Sequence, residues 1–137
     1  MNLIVCVEDQ MGMMFNRRRQ SQDRILRQRM LEMIGQEKLY VSPYTAKQFE
    51  QQEKLVISDN PQSLRGNLWC FIEDPQHLPP EDQISRIVVY RWNRAYPSDR
   101  YFSIDLNLWE LTSFQEFAGY SHEKITEEVY LNETIMD

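Results

Sequence analysis

The chain has 137 residues, 42% of them hydrophobic and 12% aromatic, with a formal net charge of −6. That length supports one domain, 1–137, with a core of its own, and the composition excludes a disordered tail. The acidic balance argues against general adhesion to nucleic acid or anionic membrane, but leaves a local basic patch open.

Residues 2–8 are short, apolar and rich in β-branched side chains, which predicts a buried and parallel strand. A polar loop containing methionines runs on to about Gln20. Ser21 then offers an N-cap, with Asp23 in the first helical turn. Ile25, Leu26, Met30, Met33 and Ile34 recur at helical spacing, and Gly35 ends the helix. Residues 38–42 predict a second strand. Pro43 breaks it, and Thr45 can cap a helix reaching about Glu53. Residues 54–58, 67–72 and 86–92 predict three more strands, with a Pro-rich crossover and one helical turn near 81–84 between the last two. After an extended piece at 101–104, residues 109–117 and 125–131 read as an antiparallel pair around Gly119. The expected class is α/β: a mixed, mostly parallel sheet with an antiparallel C-terminal hairpin and two or three flanking helices.

The chemistry-bearing residues are few. Cys6 and Cys70 sit in apolar runs and read as reduced core thiols of a cytoplasmic protein. The start of the chain lacks the basic region and long apolar run of a signal peptide, and no run reaches the ~18 apolar residues of a membrane span. His77 and His122 have no His or Cys at ligand spacing, so no metal is expected. Ser121-His122-Glu123 lacks a nucleophile-elbow context and does not read as a triad. Trp69, Trp92 and Trp109 read as packing residues. The four glycines, Gly12, Gly35, Gly66 and Gly119, are far apart, so no clustered-glycine phosphate cradle exists.

The segment 15–29 holds six of the 15 basic residues and one acid. Its charge of +5 leaves −11 for the remainder. Arg17, Arg18, Arg19, Arg24 and Arg27 could bind an anion beside a helix N-terminus, with Phe15 and Tyr44 stacking on a nucleotide or an RNA end. Charge runs on helices are more often a solvated face, and the segment can also be read as the partner of the acidic C-terminal region within the chain or across a homodimer.

The order of motifs resembles the dihydrofolate reductase family over nearly the whole chain. Met1 to Glu8 resembles its first strand, and Met11-Gly12-Met13 its mobile Ile-Gly-Met-type loop. Asp23 lies within about one residue of its substrate carboxylate. Leu39 to Thr45 resembles the strand that ends in a Gly-Arg-x-Thr helix start, and Leu55 to Pro61 the Val-Leu-Ser-x-x-Pro strand and turn. Ser98-Asp99-Arg100-Tyr101-Phe102 resembles Gly-Asp-Thr-x-Phe, and residues from Trp109 onward the terminal hairpin. The resemblance implies a pterin- or nucleotide-like ligand near Asp23, with Tyr90 standing where the family has a threonine bonded to that carboxylate. Asp23 would be the catalytic residue, and Phe15, Tyr44, Thr45 and Tyr90 would line the ligand.

Departures from the family concentrate on its NADPH site. Phe71-Ile72-Glu73-Asp74 stands where the family has paired glycines, Pro43-Tyr44 where it has an arginine, and Asp59 where a 2′-phosphate would lie. Only five residues separate Pro61 from Asn67, where the family has a further strand and helix. The expectation is a binding or regulatory module without NADPH-dependent activity. The alternatives are an RNA- or nucleotide-phosphate-binding protein, with a ribonuclease among them though the His-x-His-x-Asp-His metal motif is absent, and an active reductase using NADPH.

Overall fold

The computed structural model describes residues 1–50 and 52–132. Ten strands and two helices follow in order: β1 (Asn2–Val7), β2 (Gly12–Phe15), β3 (Arg18–Arg19), α1 (Arg24–Met33), β4 (Leu39–Val41), α2 (Pro43–Ala46), β5 (Leu55–Ile57), β6 (Trp69–Phe71), β7 (Arg86–Arg91), β8 (Arg100–Tyr101), β9 (Glu110–Phe117) and β10 (Ile125–Leu131). Seven strands form one sheet in the order β5-β4-β6-β1-β7-β10-β9. Strands β5, β4, β6, β1 and β7 are mutually parallel, and β10 runs antiparallel to both its neighbours, β7 and the edge strand β9.

The apolar run at the start of the chain explains the centre of this sheet. β1 lies between β6 and β7, where both faces are covered, so both alternating sets of its side chains must be apolar. Leu3, Val5 and Val7 face one core, with Met13, Met14, Ile87, Val89, Phe102 and Trp109. Ile4 faces the other, with Leu26 and Met30 of α1 and with Val88, Tyr90 and Trp92. The three tryptophans are buried, as expected of packing residues. Cys6 and Cys70 are free thiols. Burial pushes both up, Cys70 to about 11, so neither is a thiolate at neutral pH.

Four local expectations need correction. The stretch before α1 is not a loop: β2 and β3 form a two-residue hairpin, which β8 extends into a second sheet of order β3-β2-β8. Met13 and Met14 pull it onto the core, and Asn16 (φ 51°) and Arg17 (φ 62°) make the tight turn. Arg18 and Arg19 are therefore strand residues. The N-cap of α1 is Asp23 rather than Ser21, and its carboxylate accepts from the N–H groups of Ile25 and Leu26. The second helix is a single turn, capped by Ser42, whose hydroxyl accepts from the Thr45 N–H. Gly35 ends α1 as predicted, at φ 64°.

Candidate functional site

Asp23 is the most heavily bonded side chain of the described residues. Its Oδ1 accepts from the N–H groups of Ile25, Leu26 and Tyr120. Its Oδ2 accepts from the Ser121 N–H and hydroxyl, and lies 2.9 Å from Nδ1 of His122. The carboxylate thus clamps the start of α1 to the turn between β9 and β10. Gly119 makes this possible, because a Cβ there would lie 2.7 Å from Oδ2. Burial raises the pKa of Asp23, but the N–H groups of Tyr120 and Ser121 and the imidazole outweigh it, and the net shift is well down. The group is ionised at neutral pH and its lone pairs are committed inside the chain.

His122 continues the network. Its ring is 4% exposed and stacks on Trp92 at 4.5 Å between centroids. Because Asp23 can only accept, the Nδ1 facing it carries the proton, and in the neutral ring Nε2 is an acceptor. Two hydroxyls reach that atom: Ser21 Oγ at 2.9 Å and Tyr96 Oη at 3.2 Å. Sequence reasoning missed this grouping. It considered Ser121-His122-Glu123, whereas the serine that faces Nε2 is Ser21, 101 positions away. The available signal was Ser-x-Asp before a helix in a chain with two histidines.

The other residues expected around a ligand have separate duties. Tyr90 is fully buried and donates its hydroxyl to Glu127 Oε2 at 2.9 Å, not to Asp23. Burial and that carboxylate push the phenol well up. Arg29 pairs with the same Glu127 at 2.8 Å and covers the Phe117 ring. Tyr44 lies under the Arg19 guanidinium, 4.3 Å from its centroid, and its hydroxyl accepts from the Arg19 N–H. Thr45 is buried against Ser42. Phe15 is half-exposed on β2, beside β8, where Tyr101 is exposed to the same degree.

The arginines do not form one patch. Arg19 is tied to Glu73 by two hydrogen bonds of 2.9 and 3.1 Å, and Arg29 to Glu127. Arg17 and Arg18 stand exposed at the hairpin. Arg24 covers Tyr120 at 4.1 Å, and Arg27 hydrogen-bonds Gln22. Among the described residues neither Arg24 nor Arg27 has an ion-pair partner. Both line a cleft of about 160 Å³ between α1 and the segment after α2, together with Leu31, Phe49 and Glu50. Gln48 lines it too, and its Nε2 is buried with no hydrogen-bond partner among the described residues. Burial pulls Arg27 below the usual guanidinium range; Asp23 opposes this, and the charges of Arg19 and Arg24 add to it. Two guanidiniums, which can only donate, therefore line one cleft together with the Gln48 amide and the Glu50 carboxylate.

No family model matches the chain, and no curated protein does. Among solved structures, the chain is similar to a dihydrofolate reductase from Enterococcus faecalis complexed with NADP(H) and RAB-propyl. The TM-score is 0.63 at 9% identity, over 96% of this chain and 95% of that one. The fold is dihydrofolate-reductase-like.

This fold raises the question of a nicotinamide cofactor, and the residues after β6 answer it chemically. The family resemblance calls for paired glycines there, to let the backbone approach a pyrophosphate. This dihydrofolate-reductase-like chain has Ile72, Glu73 and Asp74, and no glycine between Gly66 and Gly119. Ile72 is buried, Glu73 is held by Arg19, and Asp74 is held by Arg100 at 2.7 and 2.8 Å. Two carboxylates, each held by its own arginine, and a buried isoleucine in place of paired glycines do not fit a diphosphate.

Proposed function

We propose that this chain is a dihydrofolate-reductase-like binding module for a small phosphate- or carboxylate-bearing ligand, without NADPH-dependent hydride transfer. The observation that carries the reading is the cleft beside α1, which Arg24 and Arg27, without an ion-pair partner among the described residues, line together with the Gln48 side chain. A guanidinium pair and an amide are the groups that recognise a phosphate or carboxylate, and Phe49 and Leu31 supply an apolar wall for the ligand's remainder. The ligand site is thus moved along α1 from Asp23, whose hydrogen-bonding capacity is already used. Loss of hydride transfer is supported by Glu73 and Asp74 with their arginines where a pyrophosphate would lie.

The test is calorimetric titration with inorganic phosphate, a nucleoside monophosphate, a pterin and NADPH. The reading expects saturable binding of a phosphate-bearing compound that the Arg24→Ala/Arg27→Ala double variant weakens at least tenfold, since a charged hydrogen bond is worth about 1.5–3 kcal/mol. Micromolar NADPH binding that quenches tryptophan fluorescence would overturn it in favour of a reductase.

A second reading, binding of single-stranded RNA, is favoured by one observation. Phe15 and Tyr101 are exposed on the small sheet beside the exposed Arg17 and Arg18. RNA binding lost in a Phe15→Ala/Arg18→Ala variant would select it. A homodimer joined by basic and acidic regions would need a second chain to do what Glu127 and Glu73 already do within this one; sedimentation at two concentrations decides the point.

A further inference from the structure

We propose that Ser21, His122 and Asp23 form a nucleophilic relay competent for acyl transfer from small carboxylic esters. This activity is separate from ligand binding in the arginine cleft.

The geometry carries the assignment. Asp23 Oδ2 stands 2.9 Å from His122 Nδ1, and His122 Nε2 stands 2.9 Å from Ser21 Oγ. This is the order of contacts by which a carboxylate fixes a histidine's tautomer and the histidine takes a serine's proton. The carboxylate and the imidazole are each held by groups outside the relay. Five protein donors besides the imidazole fix the carboxylate: the N–H groups of Ile25, Leu26, Tyr120 and Ser121, and the Ser121 hydroxyl. The Trp92 ring fixes the plane of the imidazole. The relay also runs from interior to surface. Asp23 and His122 are buried, Ser21 and Tyr96 are half-buried, and the flanking Gln22 and Ser121 are exposed. A structural hydrogen-bond network would be complete with Tyr96 alone on Nε2. The additional serine, at the shorter distance, is what gives the histidine a nucleophile to activate.

The step balances without a cofactor. Ser21 Oγ attacks the ester carbonyl carbon as its proton passes to His122 Nε2. The tetrahedral adduct collapses, and the departing alkoxide takes that proton and leaves as the alcohol. Water then repeats the sequence on the acyl-Ser21 ester, releasing the carboxylic acid and restoring the hydroxyl.

The experiment is labelling of the full chain with a fluorophosphonate, followed by peptide mass spectrometry, with p-nitrophenyl acetate hydrolysis in parallel. The expected result is one phosphonyl group on Ser21, absent in Ser21→Ala and at least a hundredfold slower in His122→Gln. Ser21→Ala removes only a half-buried hydroxyl, so an unchanged melting curve shows that loss of label is not loss of fold. Absence of label on the folded wild type, under conditions that label a serine hydrolase, overturns the proposal. So does label on Ser121 or Tyr96 in place of Ser21. Calorimetric binding in the arginine cleft is scored separately, so failure of either reading leaves the other standing.

Discussion

At the residue scale, Asp23 is a clamp whose strength depends on its charge. Six hydrogen-bonding partners converge on one carboxylate, so its folded-state pKa lies below the unfolded value. A depressed carboxylate contributes its stability above the unfolded pKa, about 3.9 for Asp, and loses it as pH falls through the folded value. Asp23→Asn places an amide among N–H donors and should cost about 3 kcal/mol at pH 7. In thermal melts from pH 7 downward, the gap between wild type and variant should hold to about pH 4 and then close. The sequence showed half of this. It placed Asp23 at a helix start near the resemblance's substrate carboxylate. It did not show that His122 and Ser121 lie against it, because a contact spanning about 99 positions leaves no local pattern. Tyr90 illustrates the same limit: the residue was singled out, but its partner, Glu127, comes from a strand paired in register across the sheet.

At the element scale, legibility followed apolar periodicity. β1, α1 with its Gly35 stop, and the β9–β10 hairpin announce themselves through apolar runs, helical spacing and turn residues. The β2–β3 hairpin did not, because its two core methionines sit among arginines and its turn lacks glycine. Asn16 and Arg17 instead take left-handed φ angles of 51° and 62°. A side chain such as arginine pays about 1 kcal/mol for that conformation. Arg17→Gly should therefore stabilise the chain by about 0.5–1 kcal/mol in urea denaturation, with the m-value unchanged. Arg19 acts in the opposite sense. Its guanidinium joins β3 to Glu73 after β6, with 18% of its side chain exposed against 8% for the glutamate. Arg19→Met should cost about 2–4 kcal/mol, because a mostly buried carboxylate would lose its partner; Glu73→Gln in the same background should recover part of that loss.

At the scale of the whole molecule, the strand order sets the chain's history as well as its shape. The first strand occupies the middle of the sheet, and its neighbours β6 and β7 arrive 67 and 84 positions later, as the partners Trp69 and Arg86 of Asn2 show. The N-cap of α1 is completed almost a hundred positions after Asp23, by residues 120–122. A chain emerging from the ribosome therefore cannot pair its first strand until β6 and β7 are out, nor complete the cap of its first helix until residues 120–122 are free of the exit tunnel. Stalled nascent chains ending near residue 100 should be cut rapidly by protease within 1–35. Those extended by a linker long enough to expose residue 132 should resist. Synthesis of this protein would thus leave its apolar first strand unpaired until β6 and β7 emerge, which makes the opening strand the natural place for a chaperone to hold.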